Sequence, residues 1–205
     1  AHNNLGNVLI DLNRFDDALV CFHKALKIIP DSAEVHNNIG IVLNKLNRLD
    51  EAVLSYETAI KINTNYAQAH NNIGQVLKRQ NKLDEAVAAY RTAIAIEPEY
   101  VEAYRNFGIA LQETNKLDES IQMYNQALEL DPENVATKFY LSLSLLGSGD
   151  YKRGLPLFDY RLVYDVDSVG TRFFPPPFWD GSNLEGQKIL IWGEQGIGDE
   201  ILYAL

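Results

Sequence analysis

The chain has 205 residues, 46% hydrophobic and 22% charged, a soluble composition long enough for one large domain or two small ones. Its 28 acidic against 18 basic side chains leave a net charge of −10, which argues against a nucleic-acid groove and against docking on an anionic membrane. A single cysteine, Cys21, can form no internal disulfide, and no apolar run approaches the ~18 residues of a membrane span, so a cytoplasmic protein is expected.

From its first residue the sequence repeats itself. AHNNLG at Ala1 returns as VHNNIG at Val35, AHNNIG at Ala69 and AYRNFG at Ala103. Gly6, Gly40, Gly74 and Gly108 stand 34 apart, with Ser142 one period further on. Three more columns share that period: Ala18, Ala52, Ala86, Ser120 and Gly154; Phe22, Tyr56, Tyr90, Tyr124 and Phe158; Ala25, Ala59, Ala93 and Ala127. Pro30, Pro98 and Pro132 close three of the units, with Thr64 in the remaining slot.

Each unit predicts two helices. In the unit from Ala33, Val35, Ile39, Val42 and Leu46 form one helical apolar stripe, and Leu49, Ala52, Val53, Tyr56 and Ile60 form the next. Between them sits Asn47, matched by Asn13, Asn81, Asn115 and Gly149, residues that tolerate a left-handed helix stop. Asp50 and Glu51, like Asp84, Glu85, Asp118 and Glu119, then fall in the first turn of the second helix, where carboxylates suit the helix dipole. Small residues in the glycine and alanine columns let the two helices approach, and the aromatic column fills the gap. One unit cannot bury its own face, so stability must come from stacking.

Period 34 with this order of small, small, aromatic, small and proline resembles the tetratricopeptide repeat over residues 1–168. The resemblance implies an all-α, right-handed superhelical solenoid of five helix-turn-helix repeats: 1–32, 33–66, 67–100, 101–134 and a degenerate 135–168. Ala1 already sits at the third position of a repeat, so the natural protein is expected to continue upstream. In the fifth unit Gly154 and Arg161 replace alanine, and Pro156 is expected to kink the second helix or delay its start.

The resemblance also places the first helix of each repeat on the concave side. The groove stripes read Glu34, Asn37, Asn38, Ile41, Asn44, Lys45 in one repeat and Gln68, Asn71, Asn72, Gln75, Lys78, Arg79 in the next. One column is asparagine in four repeats (Asn4, Asn38, Asn72 and Asn106), with Tyr140 in the fifth. An asparagine side chain offers acceptor and donors together, so a ladder of them suits the C=O and N–H of an extended peptide of varied sequence. It resembles the ladder in O-linked N-acetylglucosamine transferases, whose asparagines hold the target's main chain. Asn4, Asn38, Asn72, Asn106, Asn37, Asn71, Gln75 and Lys78 are therefore the expected peptide-binding residues. The alternative is that asparagine here is a tolerated polar residue supporting helix packing. His2, His36 and His70 also recur every 34 residues. Metal ligands must converge on one ion, whereas equivalent positions on stacked helix pairs lie on the order of 10 Å apart, so these histidines read as packing residues. Neither metal nor cofactor is expected.

Beyond the repeats the texture changes. The segment TRFFPPPFW, Thr171 to Trp179, reads as a stiff Pro/aromatic linker within 169–186. Gln187 to Trp192 reads as a buried strand, followed by Gly193-Glu-Gln-Gly-Ile-Gly-Asp199 and a helical run from Glu200 to Leu205. The glycines Gly193, Gly196 and Gly198 are in the wrong order for a dinucleotide fingerprint, and no Lys-Ser/Thr follows for a P-loop. In context, this β-α stub at 187–205 resembles the start of the heptosyltransferase-like domain that bacterial tetratricopeptide/glycosyltransferase fusions carry. That resemblance implies Asp199 as a candidate base in the parent enzyme, with this chain not catalytic by itself. The unpartnered strand is expected to be poorly ordered, to fold back on the fifth repeat, which is the favoured outcome, or to pair with another copy of the chain. The chain thus reads as a protein- or peptide-binding module, with a glycosyltransferase's targeting arm and an assembly scaffold as the alternatives.

Overall fold

The computed structural model describes residues 1–161. Those residues form ten helices in five antiparallel pairs: α1 (His2–Asp11) with α2 (Phe15–Ile28), α3 (Ala33–Lys45) with α4 (Leu49–Ile62), α5 (Ala67–Arg79) with α6 (Leu83–Ile96), α7 (Val101–Glu113) with α8 (Leu117–Leu130), and α9 (Val135–Gly147) with α10 (Tyr151–Phe158). No strand occurs among the described residues. The linker, the β-α stub and its Gly193, Gly196, Gly198 and Asp199 lie outside them, as does the end of the fifth repeat.

The asparagine column stops the first four of the first helices, and Gly149 stops the fifth. Asn13, Asn47, Asn81 and Asn115 have φ of 56°, 60°, 59° and 57°, and Gly149 has 86°. Each stop closes two bonds: in the second pair Arg48 N–H donates to the Leu43 carbonyl at 2.8 Å and Asn47 N–H to that of Asn44 at 3.1 Å. These satisfy carbonyls that the helix end would otherwise orphan. The second helix starts at once, with Asp50 and Glu51 in its first turn and Arg48 bonded to Glu51. Two first helices carry side-chain caps, Ser32 accepting from Val35 N–H and Asn134 from Thr137 N–H.

The glycine and aromatic columns meet inside each pair. Phe22, Tyr56, Tyr90 and Tyr124 are all buried, and a Cβ on Gly74 would stand 2.6 Å from the Tyr90 ring. Glycine is required there by space alone. Ala18, Ala52, Ala86, Ala59, Ala93 and Ala127 are fully buried and let the neighbouring helices close on the ring. Ser120 takes the alanine position in the fourth pair, and its hydroxyl lies 2.7 Å from that of Ser144 across the interface. In the fifth pair Gly154 sits against Leu146. Pro156 lies inside α10 and does not delay its start, since Tyr151 is in register with Leu117; the regular helix ends two residues past the proline.

Stacking buries what one pair cannot. Ile39 and Val42 are 5% and 0% exposed, whereas their counterparts on α1, Leu5 and Val8, are 50% and 52% exposed. Successive first helices touch one another (α1 with α3, α3 with α5, α5 with α7, α7 with α9), while successive second helices make no comparable contact among the described residues. A stack closer on one side than the other curves toward that side. The first helices therefore line the concave face.

Candidate binding groove

The concave face is stitched by amides. Asn38 Nδ2 donates to Asn3 Oδ1 and to Asn7 Oδ1, both at 3.0 Å. Asn72 Nδ2 donates to Asn37 Oδ1 at 3.0 Å, and Asn106 Nδ2 to Asn71 Oδ1 at 3.0 Å. Asn38, Asn72 and Asn106 thus each reach back one repeat, to the residue beside the previous rung. Asn4 opens the column and is exposed. Asn37, Asn38 and Asn71 are buried, while Asn72 and Asn106 are half-buried. Asn71 also donates to the Tyr100 hydroxyl at 3.3 Å, and Asn3 to Glu34 at 2.6 Å.

Other groove residues are tied the same way. Gln75 donates to Glu102 at 3.1 Å, and Lys78 pairs with Glu113 at 2.8 Å. Arg79 caps the end of α3, donating to the Asn44 carbonyl at 2.8 Å, to the Asn44 side chain and to Asn47 Oδ1 at 2.8 Å. These bonds all cross from one repeat to the next. They fix the orientation of the amides and leave part of their capacity unused. Asn72 Oδ1, the Asn37 amide N–H groups and the whole Gln68 amide have no protein partner among the described residues.

Between α3, α5 and α7 the stitched surface dips into a depression of ≈ 340 Å³. Asn37, Asn44, Gln68, Asn72 and Gln75 supply amides to it, Lys45 and Glu102 charges, and Ile41, Tyr56 and Tyr100 apolar surface. Seven of these lie on the two stripes read from the sequence. Asn38, Asn71 and Lys78 stand beside the depression rather than in its wall. Glu102 is Gln68 one period on, so the register alone points to it. Tyr56, assigned to the core by its column, stays there at 1% exposure and reaches the depression only at its margin. Tyr100 belongs to a column, Ser32, Tyr66, Tyr100 and Asn134, that precedes each first helix. Burial pushes the phenols of Tyr56 and Tyr100 above the usual range, and for Tyr100 the carboxylates of Glu102 and Glu97 add to it. Both remain neutral hydrogen-bonding groups.

The histidine column fastens loops. His36 Nε2 lies 3.2 Å from the Pro30 carbonyl oxygen, and the next histidine, His70, bonds the backbone of Thr64. Burial lowers the pKa of His70, against the raising effect of that bond. No group of three potential metal ligands converges among the described residues. No helix among them is long and apolar enough to cross a membrane.

Family models described as tetratricopeptide repeat match residues 1–32 and 101–134, and one described as TPR repeat matches residues 42–81 and 74–115. Among solved structures, the chain is similar to pilF of Pseudomonas aeruginosa, with 22% identity, 78% of this chain and 72% of that one covered, and a TM-score of 0.72. It is similar to MamA of Desulfovibrio magneticus at 20% identity, with 82% and 96% covered and a TM-score of 0.68. A third, YrrB, described as a TPR protein with an unusual peptide-binding site, shares 21% identity over 82% of this chain and 86% of its own, with a TM-score of 0.61. At these identities the likeness is one of fold. No curated protein matches the chain.

Proposed function

The chain belongs to the tetratricopeptide repeat proteins, and from that premise we propose that its concave face binds an extended peptide by the peptide's main chain. The observation that carries this is the set of oriented amides with unused capacity around one depression: Asn37, Asn44, Gln68, Asn72 and Gln75. Amides offer donors and acceptors at once, the combination a peptide backbone needs. Inter-repeat bonds hold all of them but Gln68 in place, so little rotamer entropy is lost there when a ligand arrives. Asn4 and Asn106 extend the strip along the stack, the buried Asn38 and Asn71 brace it from beneath, and Lys78 stands at its edge.

The test replaces Asn72 and Gln75 together by alanine and measures affinity for several unrelated unstructured peptides. Each lost hydrogen-bond pair costs about 0.5–1.5 kcal/mol, by a similar amount for every peptide. Unchanged affinity in a variant that keeps its helical circular dichroism would refute the proposal. A second reading, a targeting arm for a glycosyltransferase, rests on the order of repeats, Pro/aromatic linker and the 187–205 segment in the sequence. It expects Asp199→Asn to abolish sugar transfer by the full-length protein while peptide binding persists, and full activity in that variant would remove it.

A further inference from the structure

Two rings of the aromatic column are seated alike and end differently. A Cβ on Gly74 would stand 2.6, 2.8 and 2.8 Å from Cε1, Cδ1 and Cζ of Tyr90; on Gly108 the same three distances to Tyr124 are 2.5, 2.8 and 2.8 Å. At the tip of its ring Tyr124 donates to Gln112 Oε1 at 3.0 Å, from the residue one helical turn past Gly108. One turn past Gly74 stands Lys78, which has no acceptor atom. The Tyr90 hydroxyl is therefore left buried without a partner, the one such side-chain atom among the described residues. Buried donors in native folds are almost always satisfied, so this one calls for an acceptor from outside the chain.

The hydroxyl lies on the groove side of its pair. Burial raises its pKa, and the carboxylates of Glu113 and Glu102 on α7 add to that, so both acids act on it. Asn44, Tyr56 and Asn72 stand together at the depression, and 34 residues on they become Lys78, Tyr90 and Asn106. There Lys78 crosses to Glu113 at 2.8 Å and covers the corresponding place. The cover is loose: the two side chains are 28% and 43% exposed, and an ion pair screened by water contributes little. Asn106 Oδ1 beside it has no protein partner among the described residues.

Resting on the main-chain reading above, we infer that Tyr90 is a further peptide-binding residue: an extended peptide displaces the Lys78–Glu113 pair, and one of its main-chain carbonyl oxygens accepts a hydrogen bond from the Tyr90 hydroxyl next to the Asn106 amide. The phenol gains on binding the bond that it lacks in the free protein. Its burial thus weighs against the empty fold and favours the occupied one, and Lys78 is the cover that the peptide moves.

Fluorescence anisotropy on the full chain tests it, with labelled, unstructured peptides of alanine, serine and threonine, which offer main chain and little else. Tyr90→Phe keeps the ring and should weaken binding about three- to tenfold, the range of one hydrogen bond. Tyr124→Phe, whose hydroxyl is already engaged by Gln112, should change affinity less than about twofold. Two substitutions at the cover separate a bond from a packing effect. Lys78→Gln supplies the acceptor that Gln112 gives Tyr124 and should weaken binding, whereas Lys78→Met removes the ion pair without a strong acceptor and should not. The gap between them, about three- to tenfold, should close when each is combined with Tyr90→Phe. Unchanged affinity in Tyr90→Phe, or a gap that survives that combination, overturns the inference and leaves main-chain binding at Asn72 and Gln75 standing. Failure of every peptide to bind the wild type overturns both.

Discussion

Tyr90 and Tyr124 occupy the same column, are both fully buried, and differ in one atom's surroundings. Tyr124 donates its hydroxyl to Gln112 Oε1 at 3.0 Å. Tyr90 has no partner for its hydroxyl among the described residues. The reason lies in the residue 34 before Gln112: it is Lys78, a donor without an acceptor atom, and it turns to Glu113 instead. Phenylalanine at either position removes one oxygen from a packed site. At Tyr124 it also breaks a bond, for a loss of about 0.5–1.5 kcal/mol. At Tyr90 it removes a desolvated, unpaired group whose burial costs about 1–3 kcal/mol, offset in part by the small void left behind. Tyr90→Phe should therefore gain about 1 kcal/mol while Tyr124→Phe loses about as much. Urea unfolding followed by circular dichroism, with both variants beside the wild type, reads the difference as midpoint shifts of opposite sign at constant slope. A Tyr90→Phe variant that loses as much as Tyr124→Phe would show that the phenol is satisfied, and the reasoning would fail.

Three further outcomes follow from the same geometry. Gly74→Ala drives a methyl against the Tyr90 ring and should cost about 1–3 kcal/mol in the same urea assay, whereas a surface-like loss would mean that ring can yield. Asn47→Ala forces alanine into the left-handed region for about 1 kcal/mol, while Asn47→Gly should be neutral or better; the ordering of the two by melting temperature is the check. His70, whose pKa is lowered from 6.5 mainly by burial, binds fewer protons folded than unfolded. Its contribution is thus fully present above pH 6.5 and falls away as pH drops through the unfolded value toward the folded one. His70→Gln should flatten the loss of stability across that window, and an unchanged slope in urea midpoints against pH would contradict it.

The helices were legible because their determinants are local and repeat. Asn47 announces its left-handed stop, Asp50 and Glu51 their helix start, and Gly40 and Tyr56 their contact, all within one unit. The same periodicity found the groove stripe, since Gln68 and Asn72 occupy the register of Glu34 and Asn38. What it did not reveal is where each amide's hydrogens go. Asn37 and Asn38 are adjacent in sequence and equally polar, yet one accepts from the following repeat and the other donates to the preceding one. That direction depends on the angle between stacked pairs, which no single unit encodes. Tyr100 escaped for a related reason: it belongs to one repeat's approach and acts on the preceding repeat's Asn71.

The stitching also sets how far the amide strip runs. Its two columns are Asn3, Asn37, Asn71, Arg105 and Phe139, and Asn4, Asn38, Asn72, Asn106 and Tyr140. The first column fails at the fourth repeat and the second at the fifth. There the link between pairs becomes aromatic: Tyr140 stacks on Tyr124 with centroids 6.3 Å apart, while inside the fifth pair Phe139 lies 6.3 Å from Phe158. Rings bury area and contribute dispersion, but they offer a backbone fewer donors and acceptors than paired amides do. On the proposed reading, a peptide held by its main chain would be gripped over the first four repeats and released at the fifth. The fifth pair is also where Pro156 stands inside a second helix of 8 residues, against 14 in the pair before it. Loss of amides and loss of helix length fall in one unit.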